Sequence, residues 1–255
     1  MLNIVVCGCN GQMGNNLVKL MLETKDYEIT YGIDLNTENF NDYKFEIYNS
    51  IFKLPKKPDF IVDFSQPIVL DSLLEYSLKN NVKLILCTTG FSKKQIEKIK
   101  KISEKIPIFA SRNMSIGINI LLELINKTLK LIKDDFDIEI IEKHHNKKID
   151  APSGTAIMIF DVISKIKNYA CVYDRHFLKK KRKKSEIGIH SIRAGNIVGD
   201  HEIIFAGNDE IIKISHEAKS RELYSFGVIQ AIKFMKNKNL GFYNMKDLIK
   251  STTLP

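Results

Sequence analysis

The sequence predicts an α/β protein in which a doubly wound parallel sheet carries an inserted α+β domain. The first 115 residues alternate short apolar runs with stretches of helical apolar spacing, as successive strand–helix units do. Beyond residue 116 the pattern changes: a helix at 117–133 is followed by a strand and a helix, and then by three closely spaced strands. Such a run of strands fits a mixed or open sheet and not further parallel units.

The first strand and its turn favour a dinucleotide-binding sheet of the Rossmann type. The turn Gly8–Gly14 lies between the apolar run LNIVVC and a stretch of helical apolar spacing. Gly8 would allow a tight turn, Gly11 the approach of a pyrophosphate to the backbone, and Gly14 close packing of the helix. A glycine turn alone is a weak indication, but the strand–turn–helix context is the one that this motif requires.

The second predicted strand, Tyr27–Ile33, ends at an acidic residue, Asp34. A carboxylate at this place can accept hydrogen bonds from an adenosine ribose, although an ordinary loop aspartate is the alternative. The next residue is Leu35 and not an arginine that could pair with a 2′-phosphate. We therefore expect NADH to be favoured over NADPH, unless Lys44 folds back to reach the phosphate.

Further strand–helix units complete the predicted parallel sheet. Strands are expected at 59–64, 82–87 and 106–110, and Ser92 with Gln95 forms a capping-box pattern for a helix that ends near residue 104. Ligands of such sheets bind outside the carboxyl ends of the strands, where the following loops lie.

A stretch rich in histidine and lysine, EKHHNKKIDAPSGTA at 142–156, lies between a predicted strand and a predicted helix. Pro152 suits the first helical turn, and Asp150 or Ser153 could cap it. A helix N-terminus favours an anion, histidine exchanges protons near neutral pH, and lysine provides a point charge for carboxylates. A solvated surface loop is the plainer interpretation.

This ordered stretch resembles the motif of the 4-hydroxy-tetrahydrodipicolinate reductases, formerly called dihydrodipicolinate reductases. The resemblance extends over nearly the whole chain and is weakest at about residues 173–186. It implies reduction of 4-hydroxy-tetrahydrodipicolinate by NADH or NADPH, with loss of water, in the diaminopimelate route to lysine. It also implies a dinucleotide-binding domain at 1–115 plus 222–255, a substrate-binding and oligomerisation domain at 116–221, and a homotetramer.

The resemblance further implies roles for single residues. His144 would donate or accept a proton, with Lys148 as a possible second donor; the sequence does not separate these roles. His145, Gly154 and Thr155 would bind the dicarboxylate substrate. The implied cofactor-binding residues are Gly8, Cys9, Asn10, Gly11, Gln12, Met13, Asp34, Cys87, Thr88, Thr89, Ser111, Arg112, Asn113 and Met114. Cys87 stands where the family commonly has glycine.

The charge distribution leaves a second class of function open. The net charge is +9, and much of the excess lies in the run Lys179–Lys184, which could bind nucleic acid. No aromatic residues interrupt the run, so we favour a solvated loop and expect no nucleic-acid partner. Another NAD(P)-dependent dicarboxylate or amino-acid dehydrogenase, or a non-catalytic nucleotide- or nucleic-acid-binding protein, remains the alternative.

The remaining features predict a cytoplasmic protein without a membrane partner. A hydrophobic content of 44% is ordinary for a globular protein, and no apolar run reaches spanning length. The four cysteines lack metal-ligand spacing and are interpreted as buried reduced thiols. His190, His201 and His216 lie on predicted strands without clustered carboxylates, so a metal site is not expected. Arg193 and Arg221 are candidate anion contacts or domain-interface ion pairs, with a structural role favoured for Arg221.

Overall fold

The protein is described by a computed structural model that covers residues 1–39, 43–132 and 135–252. The chain divides into two compact units, Met1–Ile116 with Arg221–Pro255 and Gly117–Ser220. Each unit is built on one sheet, of seven strands in the first and five in the second. Within these ranges, no helix combines the length and the apolar character needed to cross a membrane.

The first unit begins with three strand–helix repeats and short additional strands. Its elements in this half are β1 (Leu2–Cys7), α1 (Gln12–Leu22), β2 (Tyr27–Ile33), β3 (Glu46–Tyr48), β4 (Phe60–Asp63), α2 (Leu70–Asn80), β5 (Lys83–Leu86), α3 (Lys93–Ser103) and β6 (Pro107–Ala110). Short 3₁₀ turns at Ile51–Lys53 and Pro67–Val69 precede β4 and α2.

The second unit follows with α4 (Ile116–Leu131), β7 (Asp137–His144), α5 (Gly154–Ser164), β8 (Ala170–Val172), β9 (Glu186–Arg193), β10 (Gly199–Ala206) and β11 (Ile211–Ala218). The chain then returns to the first unit through α6 (Glu222–Met235), β12 (Gly241–Tyr243) and α7 (Met245–Thr252).

The first sheet is doubly wound. Its strand order is β12-β6-β5-β4-β1-β2-β3, and all neighbouring strands are parallel. Alternate residues of β1 supply two cores, since Ile4 and Val6 pack on the face that also buries Val228 of α6, whereas Val5 and Cys7 pack on the other face. The predicted Rossmann-type sheet is confirmed.

The second sheet is mixed, as the sequence predicts. Its order is β11-β10-β7-β9-β8, with β10 antiparallel to both β7 and β11, and β9 parallel to both β7 and β8. Apolar residues of α4 and α5, among them Leu121 and Ile159, join Ile140 and Ile203 of the sheet in one core. The two helices thus cover one face of this sheet.

The covered face becomes polar toward the carboxyl end of β7. Strand register aligns Ile140 with Ile189 and Ile203 in an apolar row. Two residues further along, Glu142 aligns with Ser191 on β9 and His201 on β10, and His201 aligns with His216 on β11. The next residue on this face, His144, aligns with Arg193. Side chains of alternating strand positions share a face, so these rows gather acidic, basic and imidazole groups beside one another.

Several local expectations are corrected by the structure. Pro152 does not enter the first turn of α5: it follows a cis peptide bond from Ala151, Ser153 is the N-cap, and the helix begins at Gly154. Of the four cysteines, which are all free, Cys171 is only half-buried. The capping box of Ser92 and Gln95 at α3 is confirmed.

The basic run is not only a solvated loop. The Arg182 side chain is 18% exposed and bonds the carboxylates of Asp137, at 2.5 Å, and Glu139, at 3.0 Å. It also donates to the carbonyl oxygens of Ile138 and Glu186. Arg182 thereby fastens the loop to strands β7 and β9, so one member of the run has a structural role.

Candidate active site

The glycine turn of the first unit is fixed by close backbone contacts. Gly8 has φ +73°, and a Cβ atom there would lie 2.6 Å from the carbonyl oxygen of Phe64. A Cβ atom at Gly14 would lie 2.1 Å from the carbonyl oxygen of Gly8. Any side chain at either position would therefore displace the backbone, so the turn requires glycine for its own shape.

A cavity of about 450 Å³ opens beside this turn. It brings Gly8, Asn10, Gly11 and Asp34 together with Leu35, and among its described lining residues there is no lysine or arginine. The remaining lining residues are Cys7, Ile33, Asn49, Ser50, Ile51, Phe64, Ser65, Gln66, Ile68, Val69, Ser72 and Leu73. A helix N-terminus, a glycine turn and a carboxylate at one cavity are the parts of a dinucleotide site.

Asn10 ties the turn to the loop after β2. Its backbone N–H donates to Asp34 Oδ2 at 3.0 Å, and its side-chain amide donates to the carbonyl oxygens of Asn36, at 2.8 Å, and Glu38, at 3.0 Å. The Asp34 carboxylate is thereby held at the cavity, while Leu35 is 86% exposed.

Other predicted cofactor residues lie at a second cavity or inside the core. A cavity of about 400 Å³ is lined in part by Thr88, Thr89, Ser111 and Arg112. The side chains of three further residues are buried in the hydrophobic core, namely Cys9, Cys87 and Met114. Burial raises the pKa of the Cys9 thiol to about 12 and that of the Cys87 thiol well above its usual range. These core residues have only backbone groups to offer a ligand.

The other predicted positions in this unit are engaged with neighbouring residues. Gln12 accepts a hydrogen bond from Arg221, which agrees with a structural role for that arginine. The carbonyl oxygen of Asn113 accepts from Ser111 Oγ at 2.8 Å, and Met13 is half-buried. Their roles toward a cofactor stay predictions.

In the second unit, the fully buried carboxylate of Glu142 is the centre of a polar cluster. Its Oε2 lies 2.5 Å from His144 Nδ1 and accepts from Arg193 Nη1 at 2.9 Å. Its Oε1 accepts from Arg193 Nη2 at 2.7 Å and from the Ser153 backbone N–H at 3.2 Å. Three segments, β7, β9 and the start of α5, therefore meet on one side chain.

The charge of Glu142 survives its burial. Loss of water would raise the pKa of this carboxyl, but hydrogen bonds from His144, Arg193 and Ser191 outweigh that effect and hold the pKa at about 2. Glu142 is therefore an anion at neutral pH. Arg193 forms its ion pair with Glu142 inside the second unit, and a contact of Arg193 with a bound anion stays a prediction.

The start of α5 is fixed from both sides. Ser153 Oγ accepts from the Ala156 N–H at 3.1 Å as N-cap and lies 3.0 Å from His201 Nε2. Arg193 Nη2 donates to the carbonyl oxygen of Asp150 at 2.6 Å, just ahead of this cap. Around Gly154 a Cβ atom would meet no atom within 4 Å in the described structure, so a ligand can approach the helix start there.

The basic loop places Lys148 and His145 at the same end of the sheet. Lys148 Nζ lies 2.8 Å from Asp150 Oδ1, and this pairing lowers the pKa of the Asp150 carboxyl. The Lys148 backbone N–H donates to the carbonyl oxygen of His145 at 3.1 Å, and the His145 ring is half-buried. Lys147 between them is exposed.

His201 is kept neutral inside the cluster. Burial lowers its pKa to about 3, and the nearby charges of His144 and Lys148 act in the same direction. Its ring packs edge-on against the ring of His144, with 5.3 Å between centroids. Among the residues described, no group of three or more His, Cys, Asp or Glu side chains is arranged to hold a metal ion.

The sequence indicates a role for His144 but none for Glu142, and His201 stands out in it only as a possible metal ligand. One available signal was the Glu-x-His spacing on a strand, which places both side chains on one face. The partner Arg193 lies 51 residues away, and only the β7–β9 register brings it to Glu142.

Comparison with known proteins gives the same family for both halves of the chain. The family described as "Dihydrodipicolinate reductase, N-terminus" matches residues 2–114, and "Dihydrodipicolinate reductase, C-terminus" matches residues 117–249. The 4-hydroxy-tetrahydrodipicolinate reductase of Clostridium novyi is 44% identical over 255 residues and covers 98% of this chain and 99% of that protein. That of Caldanaerobacter subterraneus is 41% identical over 252 residues, with 98% and 99% coverage.

A solved structure shares the fold. The dipicolinate-bound dihydrodipicolinate reductase of Paenisporosarcina sp. TG-14 superposes with a TM-score of 0.79 at 23% identity, over 96% of this chain and 97% of that one. An aspartate dehydrogenase from Thermotoga maritima has a TM-score of 0.55 at 14% identity, with 94% and 99% coverage. The fold is thus shared by dehydrogenases of different activity.

The buried neutral state of His201 predicts a loss of stability in acid. Its pKa of about 3 in the folded protein lies below the ordinary 6.5, so the unfolded chain binds the proton more tightly. The contribution to the free energy of unfolding is complete above pH 6.5 and declines as the pH falls from there toward 3. One such group changes that free energy by at most about 1.4 kcal/mol per pH unit.

Urea unfolding at a series of pH values below neutrality measures this decline. In His201→Gln we expect the free energy of unfolding to decline less as the pH falls. In His176→Gln, which changes an exposed histidine, we expect the same decline as in the parent protein. Equal acid dependence in the parent and His201→Gln would show that His201 is not the group responsible.

Proposed function

Because the chain belongs to the dihydrodipicolinate reductase family, we propose that its first unit binds NAD(P)H and its second unit binds the dicarboxylate substrate. The chain is an NAD(P)H-dependent oxidoreductase that reduces 4-hydroxy-tetrahydrodipicolinate to tetrahydrodipicolinate in lysine and diaminopimelate biosynthesis. The proposal that the first unit binds the cofactor and the second unit the substrate rests mainly on one observation. His144, Lys148 and the start of α5 all belong to the second unit.

The reaction needs a carboxylate-binding surface, and the second unit has the parts for one. The N-terminus of α5 begins at Gly154 and Thr155, with open space beside Gly154. Helix starts favour anions, and Lys148 and His145 add polar or cationic groups in the preceding loop. The solved relative from Paenisporosarcina is described as dipicolinate bound, and dipicolinate is a dicarboxylate. These features support binding of the substrate carboxylates at His145, Lys148, Gly154 and Thr155.

The chemistry requires a hydride, the loss of water and the movement of protons. NAD(P)H supplies the hydride when bound, and the residues of the first unit that would hold it are those of the glycine turn, Asp34, and the loops around Thr88 and Ser111. The substrate hydroxyl leaves as water, a ring carbon accepts the hydride, and one proton is added. We assign this proton exchange to His144, with Lys148 as a second donor or as a carboxylate contact.

Replacement of His144 or Lys148 tests this assignment. In His144→Gln and Lys148→Gln we expect turnover to fall by about a hundredfold or more, the usual scale for loss of a general acid. Lys147→Gln is the matched control, since Lys147 lies in the same loop and is exposed. The measurement is substrate-dependent oxidation of NADH by variants whose urea unfolding matches that of the parent. Near-normal turnover in both variants would contradict the assignment.

We propose a preference for NADH over NADPH. Asp34 lines the cavity beside the glycine turn, and its described lining residues include no lysine or arginine that could neutralise a 2′-phosphate. A carboxylate accepts hydrogen bonds from ribose hydroxyls but repels a phosphate. Leu35, exposed at the cavity, carries no charge that could pair with such a phosphate.

Leu35→Arg should therefore improve the use of NADPH. A charge-assisted contact of about 1.5–3 kcal/mol corresponds to roughly a ten- to hundredfold gain in kcat/KM with NADPH. Leu35→Gln, which adds a polar side chain without charge, should leave the ratio of kcat/KM with NADPH to kcat/KM with NADH nearly unchanged. If the parent protein has an equal or higher kcat/KM with NADPH than with NADH, measured at the same ionic strength, the proposed preference is wrong.

We also propose a homotetramer assembled through the outer face of the five-stranded sheet. Helices α4 and α5 pack on the inner face, whereas Ile192 and Ile211 on the outer face are 43% and 62% exposed. Apolar side chains on an otherwise charged sheet surface favour burial against another copy. Light scattering should give four times the 29.3 kDa of one chain, and Ile192→Lys should lower that mass. A monomeric mass for the parent protein would exclude the assembly.

A further inference from the structure

Going one step beyond the proposed function, on which this inference rests, we infer that Glu142 is a positioning residue for His144. The buried Glu142 carboxylate fixes the position of the proton on the His144 ring, so that Nε2 is the nitrogen that exchanges a proton with the substrate. Glu142 itself has no part in binding substrate, because its side chain is fully buried.

The hydrogen-bond pattern determines the tautomer. An ionised carboxylate only accepts hydrogen bonds, so Nδ1 of His144, 2.5 Å from Glu142 Oε2, has to carry the proton of that contact. In the neutral ring the lone pair then lies on Nε2, which can accept a proton and afterwards donate it. A histidine whose one nitrogen is bound by a carboxylate in this way has a defined orientation for the other.

The surroundings keep the Glu142 carboxylate in place. Arg193 donates to both oxygens, at 2.7 and 2.9 Å, and the Ser153 N–H donates to Oε1 at 3.2 Å. A buried carboxylate without such partners would take up a proton and could no longer act only as an acceptor. Arg193 and Ser153 therefore set the condition under which Glu142 controls His144.

The edge of the ring that carries Nε2 is given room by a glycine. A Cβ atom on Gly199 of β10 would lie 3.0 Å from His144 Nε2, a separation that a methyl group rarely shows. On the same strand, the neutral ring of His201 packs edge-on against His144. The ring is thus bonded at Nδ1 and packed on one side, while no side chain from position 199 crowds Nε2.

Replacing Glu142 by glutamine reverses the direction of the hydrogen bond at His144 Nδ1. The Oε1 site receives hydrogen bonds from Arg193 Nη2 and the Ser153 N–H, so the amide oxygen of Glu142→Gln would occupy it. The amide nitrogen would then take the place of Oε2 and donate to His144 Nδ1. The neutral ring would carry its proton on Nε2, which is the wrong tautomer for accepting one there.

Kinetics of three glutamate variants test the inference. For Glu142→Gln we expect kcat to fall by about a hundredfold, the scale of a lost general acid or base, with KM and NADH affinity nearly unchanged. Glu142→Asp retains an anionic acceptor and should recover about tenfold of that loss. Glu97→Gln is the control, because it makes the same change of charge at an exposed position of helix α3, and it should keep kcat within about twofold.

A kcat near the parent value in Glu142→Gln, or equal losses in the glutamine and aspartate variants, would overturn the inference. A parent protein without reductase turnover would refute the proposed function instead. In that case, or if Glu142→Gln does not fold, nitrogen NMR of histidine-labelled parent protein decides, with the His144 signals identified by their absence from His144→Gln. Neutral His144 protonated on Nδ1 supports the inference, and protonation on Nε2 contradicts it.

Discussion

The polar end of the second unit depends on the ion pair between Glu142 and Arg193. Glu142 is fully buried and stays ionised because hydrogen bonds from His144, Arg193 and Ser191 outweigh the loss of water. Removing one partner of such a buried pair typically costs about 3–5 kcal/mol, because the other charge stays behind without compensation. This single carboxylate joins β7, β9 and the start of α5. Of the proposed catalytic and substrate-binding residues, β7 and α5 carry His144, Gly154 and Thr155, and the loop between these two elements carries His145 and Lys148.

The first unit rests on a different kind of constraint, the close approach of backbone at its glycine turn. Gly8 and Gly14 leave no room for a Cβ atom, and Asn10 connects the turn to the loop that carries Asp34. The same contacts that shape the turn therefore set the carboxylate beside the cavity. In both units a functional group is held by hydrogen bonds to segments distant in sequence.

Much of this arrangement could be predicted from the sequence, because the signals were local. Strand β2 has the predicted limits, and the capping box of Ser92 and Gln95 forms. Strands β3, β8 and β12 contain three residues each, too few for any periodicity to show. Their existence follows from neighbouring strands and not from their own residues.

The contacts that the sequence does not indicate are made across the fold. Arg193 meets Glu142 only through the pairing of β7 with β9, and Arg182 leaves its basic run to bond Asp137 and Glu139. The place of Pro152 differs from the expected one because a proline suits both a first helical turn and the segment before a cap. Arg182 also weakens the case for nucleic-acid binding by the run, since its guanidinium is already paired.

The most direct measurement of the central claim is the identity of the product made by the unaltered protein. Purified chain is incubated with NADH and freshly formed condensation product of aspartate semialdehyde and pyruvate, and the product is analysed by mass spectrometry. Reduction with loss of water predicts one NADH oxidised for each product molecule, and a product that is lighter than its precursor by one oxygen atom. Oxidation of NADH to a product that retains this oxygen, or no oxidation at all, would contradict the account.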